Sequence, residues 1–183
     1  MIGPSFGAVL AAARDGDEDA FAVLWRDVNP ALLRYLRVVA PGLSEDVAAE
    51  VWLEVCRGLG RFRGAEPGFR SWVFTIARMR VVDAARHAGR RPSWPVPADL
   101  LPERAAPDDP AAAALEAEAT REALALIAEL PPDQAEVVTL RFIAGLDAAQ
   151  VGELIGKRPG TVRVLAHRGL RRLAQRLAER TGV

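Results

Sequence analysis

The residues best suited to chemistry in this chain are cations, and their arrangement suits gripping phosphate rather than breaking bonds. Lys157, Arg158, Thr161, Arg163, Val164, His167, Arg168 and Arg171 crowd one short stretch near the C-terminal end. Arginine presents a planar fork that matches a phosphate or a guanine edge. Amides in the first turn of a helix also attract anions. If a helix begins at Pro159, then Val162, Ala166, Leu170, Leu173 and Leu177 share an apolar side and the cations lie around the other. Upstream, Leu140 to Gly145 closes one helix, and Asp147 to Gln150 resembles a capping box that opens the next. Gly156 then gives a tight stop. A helix, a glycine turn and a second helix with a basic face form the pattern that places its second helix in the major groove of duplex DNA. On that placement Lys157 and Arg158 meet phosphate, while Thr161, Arg163 and Val164 reach base edges, with His167, Arg168 and Arg171 further along.

Catalytic sets are missing from the 183 residues. There are two histidines, His87 and His167, and one cysteine, Cys56, which lies in an apolar helical run and reads as a small core residue. No metal-ligand spacing, glycine-rich phosphate loop or Ser/His/Asp combination occurs, so no enzyme, metal or cofactor is expected. No apolar run is long enough to span a membrane and no leader pattern opens the chain, which points to the cytoplasm.

The cations and acids balance at 24 each but are sorted along the chain. Arg57 to Arg91 holds nine arginines against Glu66 and Asp83, and Lys157 to Arg180 holds eight cations against Glu179. Asp99 to Glu136 carries ten acids and only Arg104 and Arg121. Two basic segments separated by an acidic one indicate two anion-binding surfaces.

These surfaces need elements to hold them. The N-terminal part reads as four helices: one opened by Asp17 and stopped at Asn29-Pro30, one from Pro30 to Val39, one capped by Ser44 to about Arg57, and one from about Phe69 to Ala88. Residues 1–16 carry weak signals and read as a tail. Pro92, Pro95, Pro97, Pro102, Pro107 and Pro110 make a semi-rigid linker. Beyond it, helices are expected over 111–130, 133–143, 147–156 and from Pro159 to about Glu179. The expectation is an all-α chain of two small domains, a four-helix bundle over 17–90 and a helix-turn-helix domain over 111–183, joined by a linker over 91–110.

The segment from Ser44 through Trp52, Arg61-Phe-Arg-Gly and Phe69-Arg-Ser-Trp to Asp83 closely resembles region 2 of bacterial sigma factors. Leu130-Pro-Pro to Leu173, including Gly160-Thr-Val-Arg, is similar to region 4. The order, spacing and Pro-rich linker are most similar to the extracytoplasmic-function (ECF, group IV) sigma factors of RNA polymerase. The resemblance implies a promoter-specificity subunit. Its C-terminal module would read the duplex −35 element, and its N-terminal module would capture the melted −10 element.

It also implies roles for particular residues. Asp46, Glu50 and Glu54, with Arg57 alongside, would face core RNA polymerase. The Arg61–Gly68 loop would capture a flipped base with Phe62 and Phe69 nearest it and Arg61 and Arg63 beside it. Arg78, Arg80 and Arg86 would hold the adjoining strand, since stacking and arginine suit single-stranded DNA. An anti-sigma factor is an implied partner. Three positions depart from the family pattern: Ala49 where Gln is common, Met79 where Asn is common, and Leu165 where Arg is common. The competing reading is a regulator that uses the same helix-turn-helix without polymerase, and it would need a ligand pocket or dimer face in the N-terminal module. Charge alone also suggests that the acidic linker and the helix from Ala111 fold back on a basic surface.

Overall fold

A computed structural model describes residues 1–87 and 110–181. The proposed linker over 91–110, apart from Pro110 at the start of a helix, therefore lies outside the described residues. Among those described, every regular element is helical: α1 Phe6–Arg14, α2 Glu18–Val39, α3 Ser44–Leu59, α4 Glu66–His87, α5 Pro110–Ala128, α6 Pro132–Val138, α7 Ala148–Ile155 and α8 Pro159–Thr181.

The N-terminal bundle differs from the sequence reading in three places. Residues 1–16 are not a loose tail: a 3-10 turn at Gly3–Ser5 leads into α1, whose Phe6, Leu10 and Ala13 are buried in the core. Those three residues have helical spacing, but Gly3, Pro4 and Gly7 around them weaken the local signal. Second, Asn29-Pro30 does not divide α2. Pro30 lies on the exposed side, so the carbonyl it leaves unpaired, that of Arg26, faces water. Val28, Ala31, Leu32, Tyr35 and Leu36 on the opposite side are buried and hold the helix together across the break. Third, Ser44 caps nothing: Leu43 occupies the N-cap of α3 without a side-chain hydrogen bond.

Asn29 has a different task from ending a helix. Its side-chain oxygen accepts from the Trp52 indole N–H at 2.9 Å, and both residues are buried. This ties α2 to α3 by a polar bond inside an apolar layer. Asp17 does cap α2, accepting from the Ala20 amide at 3.0 Å. Cys56 sits on the exposed side of α3 rather than in the core.

The C-terminal helices follow the expected pattern closely. Between α6 and α7, residues Thr139–Ile143 form a π-turn, with the Ala144 amide donating to Thr139 O at 2.9 Å. The extra residue accommodates Thr139, whose hydroxyl donates to Ala135 O at 2.6 Å. Asp147 and Gln150 make a reciprocal capping box at the start of α7. Gly156, at φ 69°, ends it in the left-handed region.

The buried side of α8 drifts from the expected one. Val162 and Ala166 are buried, but Leu170 is 42% exposed, and Gly169 takes the inward position against α6. Helical geometry places 162, 166, 169 and 173 on one line, and glycine at 169 lets the two backbones approach.

The two modules pack against each other. Leu140, Ala144, Leu146, Val151 and Val162 join Tyr35, Phe69 and Phe74 in one core. Sequence periodicity identified these residues as apolar but could not name the surface that covers them.

Asn29→Ala would leave the Trp52 indole N–H buried without an acceptor and should cost about 1–3 kcal/mol, read as a lower urea midpoint at unchanged slope. A Cβ at Gly152 would lie 2.5 Å from Lys157 O, a backbone atom. Gly152→Ala should therefore force the α7–α8 turn open and lower the melting temperature, at a cost of about 1–3 kcal/mol.

Candidate nucleic-acid and polymerase surfaces

The face expected from the sequence to meet duplex DNA is built by the α7–α8 turn. The Lys157 amide closes that turn on Gly152 O at 2.9 Å, and Pro159 starts α8 directly beyond it. The turn fixes which side of α8 looks outward. Arg158, Thr161, Arg163, His167, Arg168 and Arg171 are exposed, and Val164 among them is 49% exposed. At the other end of α7, the capping carboxylate of Asp147 is held below its ordinary pKa, first by the Gln150 and then by the Ala149 backbone amide.

Arginines on α8 divide by partner. Arg176 and Arg180 pair with Glu129 at 2.6 and 3.7 Å, and Arg172 donates to Gln134 at 2.8 Å. These fasten α8 to the end of α5 and to α6. Lys157 pairs with Asp133 at 3.2 Å. Arg158, Arg163, Arg168 and Arg171 make no ion pair among the described residues, which leaves four guanidinium groups on one exposed face. Leu165, at a departure from the family pattern, is half-buried against the core.

On α3, Asp46, Glu50 and Glu54 recur at four-residue spacing and so share a side. Asp46 and Glu50 are exposed, as is Arg57. Glu54 is engaged by Arg80 at 3.1 Å and Arg57 at 3.7 Å. Ala49, another departure, is buried.

The loop between α3 and α4 carries the aromatic set. Phe62 is half-buried and stacks on Trp72, with ring centroids 5.1 Å apart and planes at 21°. It also meets Phe69 edge-on at 5.5 Å. Phe69 is only 1% exposed, so it backs Phe62 and offers no face to a base in this conformer. Beside the stack lies an open groove of about 300 Å³ lined by Glu54, Gly58, Arg61, Phe62, Trp72, Ile76 and Met79. Met79, the third departure, is 54% exposed at its edge. Trp72 went unassigned in the sequence reading. In the structure α3 continues past Gly58, where a Cβ would lie 2.7 Å from the Trp72 indole.

The arginines expected on α4 are all partnered. Arg78 Nε pairs with Glu136 of α6 at 2.9 Å, Arg80 with Glu54, and Arg86 with Asp83 at 3.8 Å. Tyr35 donates to the same Glu136 carboxylate at 3.5 Å. Burial, and then the Glu136 charge, raise the Tyr35 hydroxyl far above its ordinary pKa, so it remains a donor. Two more bonds cross between the modules: Arg70 Nη1 donates to Ala144 O at 3.4 Å, and the Gln150 side-chain Nε2 donates to Pro67 O at 2.9 Å. Arg70 is itself buried and paired with Asp27 at 2.5 Å. Neither Glu136 nor Arg70 was singled out by sequence, because their partners are distant along the chain.

No helix among the described residues is long and apolar enough to cross a membrane, and no cluster of metal-ligating side chains occurs among them.

Comparison with known proteins agrees with this division into modules. Residues 24–91 match the family model for Sigma-70 region 2, and residues 120–173 match that for Sigma-70 region 4. The chain is 40% identical over 178 residues to the ECF RNA polymerase sigma factor ShbA of Streptomyces griseus, covering 91% of this chain and 92% of that protein. It is 37% identical to the ECF RNA polymerase sigma factor SigD of Mycobacterium tuberculosis, covering 94% and 84%. The fold is shared with CnrH in its complex with the cytosolic domain of CnrY, at TM-score 0.61 and 21% identity over 94% of this chain and 96% of that one. It is also shared with RpoE of Bartonella quintana in complex with the anti-sigma factor NepR, at TM-score 0.61 and 20% identity over 86% and 96%. With both modules present in order and close relatives along nearly its whole length, the chain belongs to the ECF family of RNA polymerase sigma factors.

Proposed function

We propose that this sigma factor divides promoter recognition among the three surfaces described. The α8 face reads the −35 duplex through Arg163, Val164, His167 and Arg168, with Lys157, Arg158, Thr161 and Arg171 placed for phosphate and neighbouring contacts. The Arg61–Gly68 loop and α4 take the melted −10 strand, using Phe62, Arg61 and Arg63 first and Arg78, Arg80 and Arg86 along the strand. Phe69 supports Phe62 from behind. The Asp46, Glu50, Glu54 and Arg57 side of α3 docks on core polymerase. The observation that carries this reading is the split among the α8 arginines, some tied to the body and four left outward on the helix-turn-helix. Run-off transcription with bacterial core polymerase and genomic promoter fragments tests it. Transcripts that require this chain are expected; duplex retention without polymerase binding would favour a stand-alone regulator.

The reaction places the chain in the cytoplasm, beside polymerase and DNA. RpoE of Bartonella quintana is held by the anti-sigma factor NepR, and a partner of that kind is proposed here also.

The docked arrangement bears directly on mechanism. The two promoter elements are centred roughly 25 base pairs, or about 85 Å, apart. A chain of this length packed around one core is about 40 Å across. Reading both elements at once therefore requires the modules to part and Arg78 to leave Glu136. Until then, the carboxylate occupies the place where a phosphate would sit. Glu136→Gln should raise the affinity of the polymerase-free chain for a single-stranded −10 oligonucleotide several-fold, read by fluorescence anisotropy. Duplex binding through α8 should not change, because that face is already exposed. Equal single-strand affinities would mean that docking does not mask α4.

A further inference from the structure

We infer that Arg14, on α1, is a positioning residue for the strand-capturing loop; this rests on the reading of that loop as the −10 contact. The Arg14 side chain donates from Nη2 to the carbonyl of Phe62, which also accepts from Arg63 Nη1 at 2.8 Å. On the other side of the same residue, the Phe62 amide donates to Gly58 O and Leu59 O, both at 3.1 Å. The peptide at Phe62 is thus gripped at both polar groups, and the direction of its ring onto Trp72 follows from that grip.

Space filling does not account for an arginine at this position. Arg14 Nε is buried without a hydrogen-bond partner, and no carboxylate pairs with the guanidinium among the described residues. Arg14 is half-buried, and burying its Nε–H without an acceptor is unfavourable, whereas a methionine would fill the space without that cost. The loop needs an external restraint because Gly60 and Gly64 give its backbone many alternatives.

α1 is placed to supply that restraint. Phe6 packs on Phe69, ring centroids 5.8 Å apart. The Ile2 and Gly3 amides donate to the Glu66 carboxylate, at the start of α4, at 2.7 and 2.8 Å. The N-terminal segment therefore holds the loop at its middle, through Arg14, and at its exit, through Glu66. The N-terminal members of this bracket, Ile2 to Arg14, precede the Sigma-70 region 2 match, which begins at residue 24.

The test uses holoenzyme assembled on core polymerase. Its ligand is a fluorescent single-stranded oligonucleotide carrying the −10 sequence that run-off transcription defines. Arg14→Met, which keeps the stem and removes the donors, should weaken binding about tenfold. Arg14→Lys should recover part of it, and affinities for core polymerase and for a −35 duplex should stay within twofold. In a Phe62→Ala background, Arg14→Met should add little, since the arginine acts through Phe62. Binding of the Arg14→Met holoenzyme within twofold of the parent would overturn the inference. So would an equal loss in all three affinities, which would mark a purely structural role. Should Arg14→Met not fold, the Arg14→Lys variant alone and its coupling to Phe62→Ala decide the matter. A parent holoenzyme that fails to retain the oligonucleotide would instead sink the reading of the loop.

Discussion

Whether an arginine is held by a carboxylate of its own chain decides what each face of this protein can grip. Lys157 is the only lysine, so one side-chain type must both fasten helices and bind DNA. Arg70 is buried on Asp27, and Arg176 and Arg180 fasten α8 to Glu129. Arg163 and Arg168 stand outward on the same helix with no ion pair among the described residues. Exposed ion pairs contribute little to stability, so the fastened arginines matter most for fixing which side of α8 turns outward. The buried Arg70–Asp27 pair is different, because removing either partner strands a charge inside the protein.

The same rule links the modules to each other. Glu136 belongs to the duplex-reading half, yet its nearest cation is Arg78 of the melting half. The apolar residues of both halves form one cluster, in which Leu140 and Ala144 join the Tyr35 and Phe74 rings, themselves packed edge-on at 5.5 Å. On the proposed reading, separation would expose this cluster to water, so polymerase and promoter would have to supply compensating contacts for an open form to prevail. Such a sigma factor would not need a separate inhibitory domain to be quiet when free.

Much of this was legible in the sequence, and the failures share a cause. The helix-turn-helix was readable because its signals are local: the Asp147–Gln150 box, Gly156 and Pro159 each fix their own backbone. The outward placement of Arg163 and Arg168 followed from helical spacing alone. Asn29-Pro30 misled because proline chemistry is local while the burial of Leu32 and Leu36 that overrides it is tertiary. The N-terminal α1 was missed because Phe6, Leu10 and Ala13 are few and set among glycines. Phe69 was placed beside the base by analogy, whereas packing against Phe6 and Phe62 puts it behind. Glu136, Arg14 and Trp72 depend on partners far along the chain, and no local pattern encodes such pairs.

The burial of α1 changes where the N-terminal module should be considered to begin. A chimera cut at residue 24, the edge of the family match, would strip Phe6, Leu10 and Ala13 from the core and bare the Phe69 ring on which Phe6 packs. Grafts that exchange promoter preference between relatives should therefore carry the first two dozen residues with the melting module they support. A boundary drawn from sequence similarity alone would cut through a core.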